Sequence, residues 1–154
     1  MIELTWQNRA VLAALGRLAE GAANPRPAFL AIGEDWVEST KRRFDTGTAP
    51  DGSQWAPNKP TTLARKKGNQ PLVAGGTLRD QIAYEADAEG VTIFSTKEYS
   101  ATQQLGAEKG SFGRTKRNSP IPWGDIPARP YIGISPDDEL MIEGNVSDYL
   151  NSLI

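Results

Sequence analysis

The chain has 154 residues, enough for one domain with a core of its own. It contains no cysteine and no histidine, which excludes disulfides, thiolate chemistry, the common structural zinc sites and any triad with an imidazole base. A net charge of −2, 38% apolar and 23% charged residues argue against global disorder, and no run approaches the roughly 18 apolar residues of a membrane span.

Carboxylate chemistry, Ser–Lys chemistry, a hard-metal site or no chemistry at all remain. The first six residues, Met1 to Trp6, lack the basic and apolar regions of a signal peptide, so synthesis in the cytoplasm is expected. Fifteen glycines and eleven prolines exceed the roughly 12% that the two usually supply, which predicts long connections. Charge is uneven. No acidic residue lies between Asp51 and Asp80, where Lys59, Arg65, Lys66, Lys67 and Arg79 fall, and Lys109, Arg114, Lys116 and Arg117 form a second basic cluster. Such a field suits an anionic partner or a complementary subunit face, or belongs to two solvated loops.

In chain order, alternating Ile2, Leu4 and Trp6 predict a short strand at 2–6. Residues 7–23 read as a helix with Val11, Leu12, Leu15, Leu18 and Ala19 on one stripe. Asn24 as cap and Pro25 at the first helical position open a second helix running to about Phe44, with Phe29, Ile32, Trp36, Val37, Thr40 and Phe44 at helical spacing. Gly33 inside it costs about 1 kcal/mol against alanine, which points to a close packing contact. Lys41, Arg42 and Arg43 at its end match the helix dipole.

Residues 45–76 read as irregular, with a turn at Pro50-Asp51-Gly52 and a brief helical turn at 61–67. A connection of that length implies a function. A further helical turn is expected at 77–81, and a hairpin of 82–86 with 91–95 closes near 87–90. A short helix at 98–105 ends at Gly106, and a polar, then proline-rich, exposed arm covers 106–125. Tyr131–Ile134 is expected as a strand. Ser135-Pro136-Asp137-Asp138 opens a last helix whose apolar side is Ile142, Val146, Tyr149, Leu150 and Leu153.

The acidic groups have plain explanations. Asp137, Asp138 and Glu139 serve a helix N-terminus, and Glu85, Asp87 and Glu89 surround a solvated turn. Ser111 with Lys109 or Lys116 lies in a segment too loose for a preorganised Ser–Lys site. The aromatics say more. Trp55 docks either on its own domain or on a partner. Trp123, within Pro120-Ile121-Pro122-Trp123-Gly124, points toward a partner, because the prolines at 120, 122, 127 and 130 lower the entropy lost on docking. Arg129, between Ala128 and Pro130, calls for a fixed carboxylate or carbonyl partner.

From residue 40 onward the chain resembles the virion morphogenesis family of tailed bacteriophages, the tail-completion and neck proteins of Mu-like phages. The resemblance rests on Arg43-Phe44, Pro50-Asp51-Gly52-Ser53-Gln54-Trp55, Thr61 through Lys66, Leu72 and Gly76-Thr77-Leu78-Arg79-Asp80-Gln81-Ile82. It continues through Tyr99-Ser100-Ala101, Gln104-Leu105-Gly106 and Ile126-Pro127-Ala128-Arg129-Pro130-Tyr131-Ile132-Gly133. Gln103 stands where the family often carries a histidine.

The expected fold is α+β: two N-terminal helices and a C-terminal helix packed on a small, mostly antiparallel sheet, with long Pro/Gly-rich loops, all in one domain over 1–154. The resemblance implies a non-enzymatic virion component of the neck or tail. It would form a ring, six-fold by expectation, at the head–tail junction or tail end, bridging copies of itself and neighbouring neck and tail proteins. Trp55, Trp123, Arg129 and Tyr131 are the candidate contact residues. No catalytic residue, cofactor, metal, membrane or small-molecule substrate is expected. The alternative is a sequence-independent DNA-binding module using Lys59, Arg65, Lys66, Lys67, Arg114, Lys116 and Arg117.

Overall fold

The computed structural model describes residues 9–73 and 75–154; the strand expected at 2–6 lies outside them. The described elements are helices α1 (Arg9–Ala23), α2 (Arg26–Thr46), α3 (Pro60–Leu63), α4 (Ser100–Leu105) and α5 (Pro136–Ser152), with strands β1 (Ile82–Ala86) and β2 (Val91–Ser95) and a single 3-10 turn at Arg79–Gln81. The fold is α+β, as the sequence predicts.

Helix α2 is the centre of the molecule. Its Ile32, Thr40 and Phe44 are buried, and it packs on the hairpin along one side and on α5 along another. Strands β1 and β2 pair antiparallel, Ile82 opposite Ser95 and Ala86 opposite Val91. The Asp87 carboxylate closes their turn by accepting from the Glu89 and Gly90 amides at 2.7 and 3.0 Å. Gly33 is the close contact that its position in a helix implied. A β-carbon there would stand 2.1 Å from the Tyr84 ring, so the missing side chain is what lets α2 lie against β1.

Helix α1 meets α5 through its C-terminal half. Arg17 donates from Nε to the Leu153 carbonyl at 2.7 Å and from Nη2 to the Ile154 carbonyl at 2.9 Å. The Tyr149 hydroxyl reaches the Gly21 and Asn24 carbonyls at 3.2 and 2.8 Å. Leu12 and Leu15 remain more than half exposed, so the periodic stripe marks a helix without marking a core face. The α2 cap also differs from expectation: Pro25 holds the cap position without a side-chain bond.

The core gathers Phe44, Ala49, Trp55, Leu78, Ile82, Ile93 and Tyr131, with Trp36, Val37, Leu72 and Ile132 packed against it. Phe44 meets Trp55 edge-on, centroids 5.3 Å apart at 79°, and Tyr131 at 5.3 Å and 56°. Residues 131–134 are not the expected strand. They form a bent strap without a sheet partner among the described residues, because side chains satisfy its backbone. Gln104 accepts from the Tyr131 and Ile132 amides at 2.9 and 3.1 Å and donates to the Ile132 carbonyl at 2.8 Å. Arg43 donates to the Tyr131 and Gly133 carbonyls at 2.7 and 3.0 Å, and Trp36 Nε1 donates to Gly133 at 3.0 Å. Trp55 Nε1 takes the preceding Pro130 carbonyl at 2.7 Å.

Beyond the strap, Ser135 and Asp138 form a reciprocal capping box at the start of α5. The same Asp138 carboxylate pairs with Arg43 and accepts from Ser39 Oγ. Asp138 is 1% and Arg43 6% exposed. One buried ion pair therefore locks α2, the strap and α5 together. Burial alone would raise the Asp138 carboxyl. Hydrogen bonds from Ser39 and Ser135, with the Arg43 charge, outweigh it and hold the group below the usual carboxylate range.

Candidate docking groove and tongue

The four contact candidates separate by burial. Trp55 and Tyr131 lie in the core of their own chain at 6% and 0% exposure. Of the two expected destinations for Trp55, the structure shows its own domain, and Tyr131 is covered because its ring closes the Phe44 cluster. Arg129 is also buried. Its expected fixed partners are carbonyls: Nε donates to Ala56 at 2.8 Å and Nη2 to Pro57 at 3.0 Å. Trp123 is different, at 75% exposure.

Trp123 is carried by the expected 106–125 arm, which folds back on itself as a tongue. Ala107 and Ile126 pair at its base, with amide–carbonyl bonds of 2.9 and 2.7 Å, and Arg114 pairs with Pro120 near its tip. Between them, Gly110 donates to Pro122, Phe112 to Ile121 and Ile121 to Gly113 at 2.8–3.0 Å. Gly106 permits this return. Its φ of +78° brings the backbone so close that a β-carbon would lie 2.8 Å from the Ile126 carbonyl and the Ala128 amide. Asp125 fastens the base, accepting from the Lys109 amide at 2.8 Å through its side chain and from Lys59 Nζ at 2.5 Å through its carbonyl. The peptide before Pro122 is cis. Phe112, Ile121 and Trp123 are the large apolar side chains left exposed on the tongue.

Two adjoining grooves run between the tongue and the 58–67 segment. One, of about 420 Å³, is bordered by Lys59, Lys66 and Arg129 and walled by Leu72, Leu78 and Ile126. The other is bordered by Arg65, Lys66, Lys67 and Trp123. The structure thus brings Lys59, Arg65, Lys66 and Lys67 together beside Trp123. Arg114, Lys116 and Arg117 stay apart on the exposed outer part of the tongue, and Arg114 donates to the Asn118 carbonyl at 3.0 Å. Burial pulls both Lys66 and Arg129 below their ordinary values, and the Arg129 charge lowers Lys66 further. The Lys66 ammonium bonds to the Gln70 carbonyl. Among the described residues, the hydrogen-bond acceptors of these two neighbouring cations are therefore neutral carbonyls.

Sequence reasoning missed the residues that hold this frame. Gln104 and Gln70 were assigned no role, yet Gln70 Nε2 donates to both the Phe44 and Asp45 carbonyls at 2.6 Å. Arg43 read as a dipole residue and Asp138 as a cap. Ninety-five residues separate the pair, and no local spacing could join them. Among the described residues, no group of three or more acidic side chains could hold a metal ion, and no helix is long and apolar enough to cross a membrane.

A family model described as the phage virion morphogenesis family matches residues 6–151. The chain is 28% identical over 155 residues to the Mu-like prophage FluMu G protein 2 of Haemophilus influenzae, covering all of this chain and 99% of that protein. No solved structure matches it.

Proposed function

Because the chain belongs to the phage virion morphogenesis family, we propose that it is a structural, non-enzymatic virion component that assembles as a ring at the head–tail junction or tail end and completes or joins the tail. Six copies are the expected number, and neighbouring neck and tail proteins are the other partners. The observation that carries this reading is Trp123: a tryptophan three-quarters exposed on a tongue closed by backbone pairing. Such a residue is prearranged to bury a large ring at little entropic cost, the usual character of an interface anchor. A closed ring of identical chains requires one patch to meet a different patch, and the tongue supplies one of them.

The test is complementation of a gene deletion with Trp123→Ala. Normally folded protein with at least a tenfold loss of infectious particles is expected; full particle yield would remove the tongue from assembly. A second reading is favoured by the grouping of Arg65, Lys66 and Lys67 beside Trp123, which suits sequence-independent contact with DNA. Affinity for duplex or single strands that falls steeply with salt supports it, and no binding at low salt eliminates it.

A further inference from the structure

Arg129 is 7% exposed, with Nε and Nη2 on backbone carbonyls. Lys66 stands beside it, and Lys59 borders the same groove. No carboxylate side chain forms an ion pair with any of the three among the described residues. Asp125 also lines the groove, its side chain engaged by the Lys109 amide, so three cations share one carboxylate there. A surplus of partly buried positive charge is costly to keep, and the groove is walled by apolar side chains. The complementary ligand is therefore a carboxylate set next to an apolar side chain, rather than the outward-facing phosphates of a duplex.

The same chain carries that combination elsewhere. Helix α5 contains five acidic residues and no basic one. Asp137, Leu140 and Glu143 are all exposed, three residues apart along one face, and Leu140 is 68% exposed. We propose that the Arg129 groove of one copy receives this outer face of α5 from a second copy. Leu140 enters the wall of Leu72, Leu78 and Ile126, while Asp137 and Glu143 meet Lys59, Lys66 and Arg129. The contact is head-to-tail, one patch against a different one, and it rests on the ring reading above while naming the second patch that the ring needs.

The test is sedimentation of the full chain across concentration, with folding checked by circular dichroism. Leu140→Asp, Glu143→Lys and Lys59→Glu each alter an exposed side chain, and each should weaken self-association at least tenfold with the fold intact. The double variant Lys59→Glu/Glu143→Lys should regain it, because the charges are exchanged. If wild type and all three single variants assemble equally, this contact is wrong while the ring reading survives. A wild type monomeric at every concentration and present as one copy per particle overturns both. Loss of duplex binding in Lys59→Glu with assembly unchanged makes the groove a phosphate site and also overturns the proposal.

Discussion

Replacing Asp138 by asparagine tests the frame that carries both the groove and α5. The carboxylate accepts from Ser39 Oγ, the Ser135 amide and hydroxyl at 2.8 and 2.7 Å, and Arg43. Asparagine keeps the volume, loses the charge and presents an NH₂ group where donors converge, so about half of these bonds fail. At roughly 1.5–3 kcal/mol for each charged bond, the loss is about 3–6 kcal/mol. Breaking a buried ion pair from one side gives a comparable figure of about 3–5 kcal/mol. For a chain of this size the melting temperature should fall by about 6–24 °C. The acid limb provides a second check. Because the folded-state pKa is depressed, the Asp138 contribution is complete above the ordinary carboxylate value of about 3.9 and is lost as pH falls through the folded value. Wild type and Asp138→Asn should therefore begin to converge as pH falls below ~4 and meet only below the depressed folded-state value, as followed by urea melts from pH 7 to pH 2. In a double-mutant cycle with Arg43→Met, the double variant should lose less than the sum of the singles. A single-variant cost below about 1 kcal/mol, or strict additivity with Arg43→Met, would refute the lock.

Gly33→Ala should destabilise despite alanine's better helix propensity, because its β-carbon meets the Tyr84 ring at 2.1 Å. Overpacking costs of about 1–3 kcal/mol should appear in a chemical denaturation curve, with partial recovery in Gly33→Ala/Tyr84→Leu. Thr40→Val should raise stability by about 1 kcal/mol, since the Thr40 hydroxyl is fully buried without a hydrogen-bond partner among the described residues; a thermal melt reads this directly. Trp123→Ala should change stability by less than about 0.5 kcal/mol while reducing assembly, so a thermal melt and particle yield must dissociate.

The local parts of the fold were legible because local chemistry writes them. Alternation and the turn at Asp87–Gly90 give the hairpin its observed ends, and Ser135-Pro136 with three acids gives α5 its start. Gly33 announced a close approach, though not that Tyr84 makes it. The strap reads as a strand because Tyr131 and Ile132 have strand-like side chains, whereas its backbone partners are Arg43, Gln104 and Trp36, 27 to 97 residues away. Trp55 and Trp123 look alike in sequence, each in a Pro/Gly-rich connection. Tertiary contact alone separates them: Trp55 has Phe44 and the Pro130 carbonyl to cover it, whereas Trp123 follows a tongue that turns it outward. For the same reason the cation cluster of Lys66 and Arg129 could be read as two basic residues, not as neighbours bonded to carbonyls.

Electron microscopy of purified particles carrying a tagged copy of the chain tests the ring most directly. Tag density is expected in a closed ring of several copies, six by expectation, at the head–tail junction or the tail end. Particles without the protein, or with its tag distributed over the capsid surface, would contradict it.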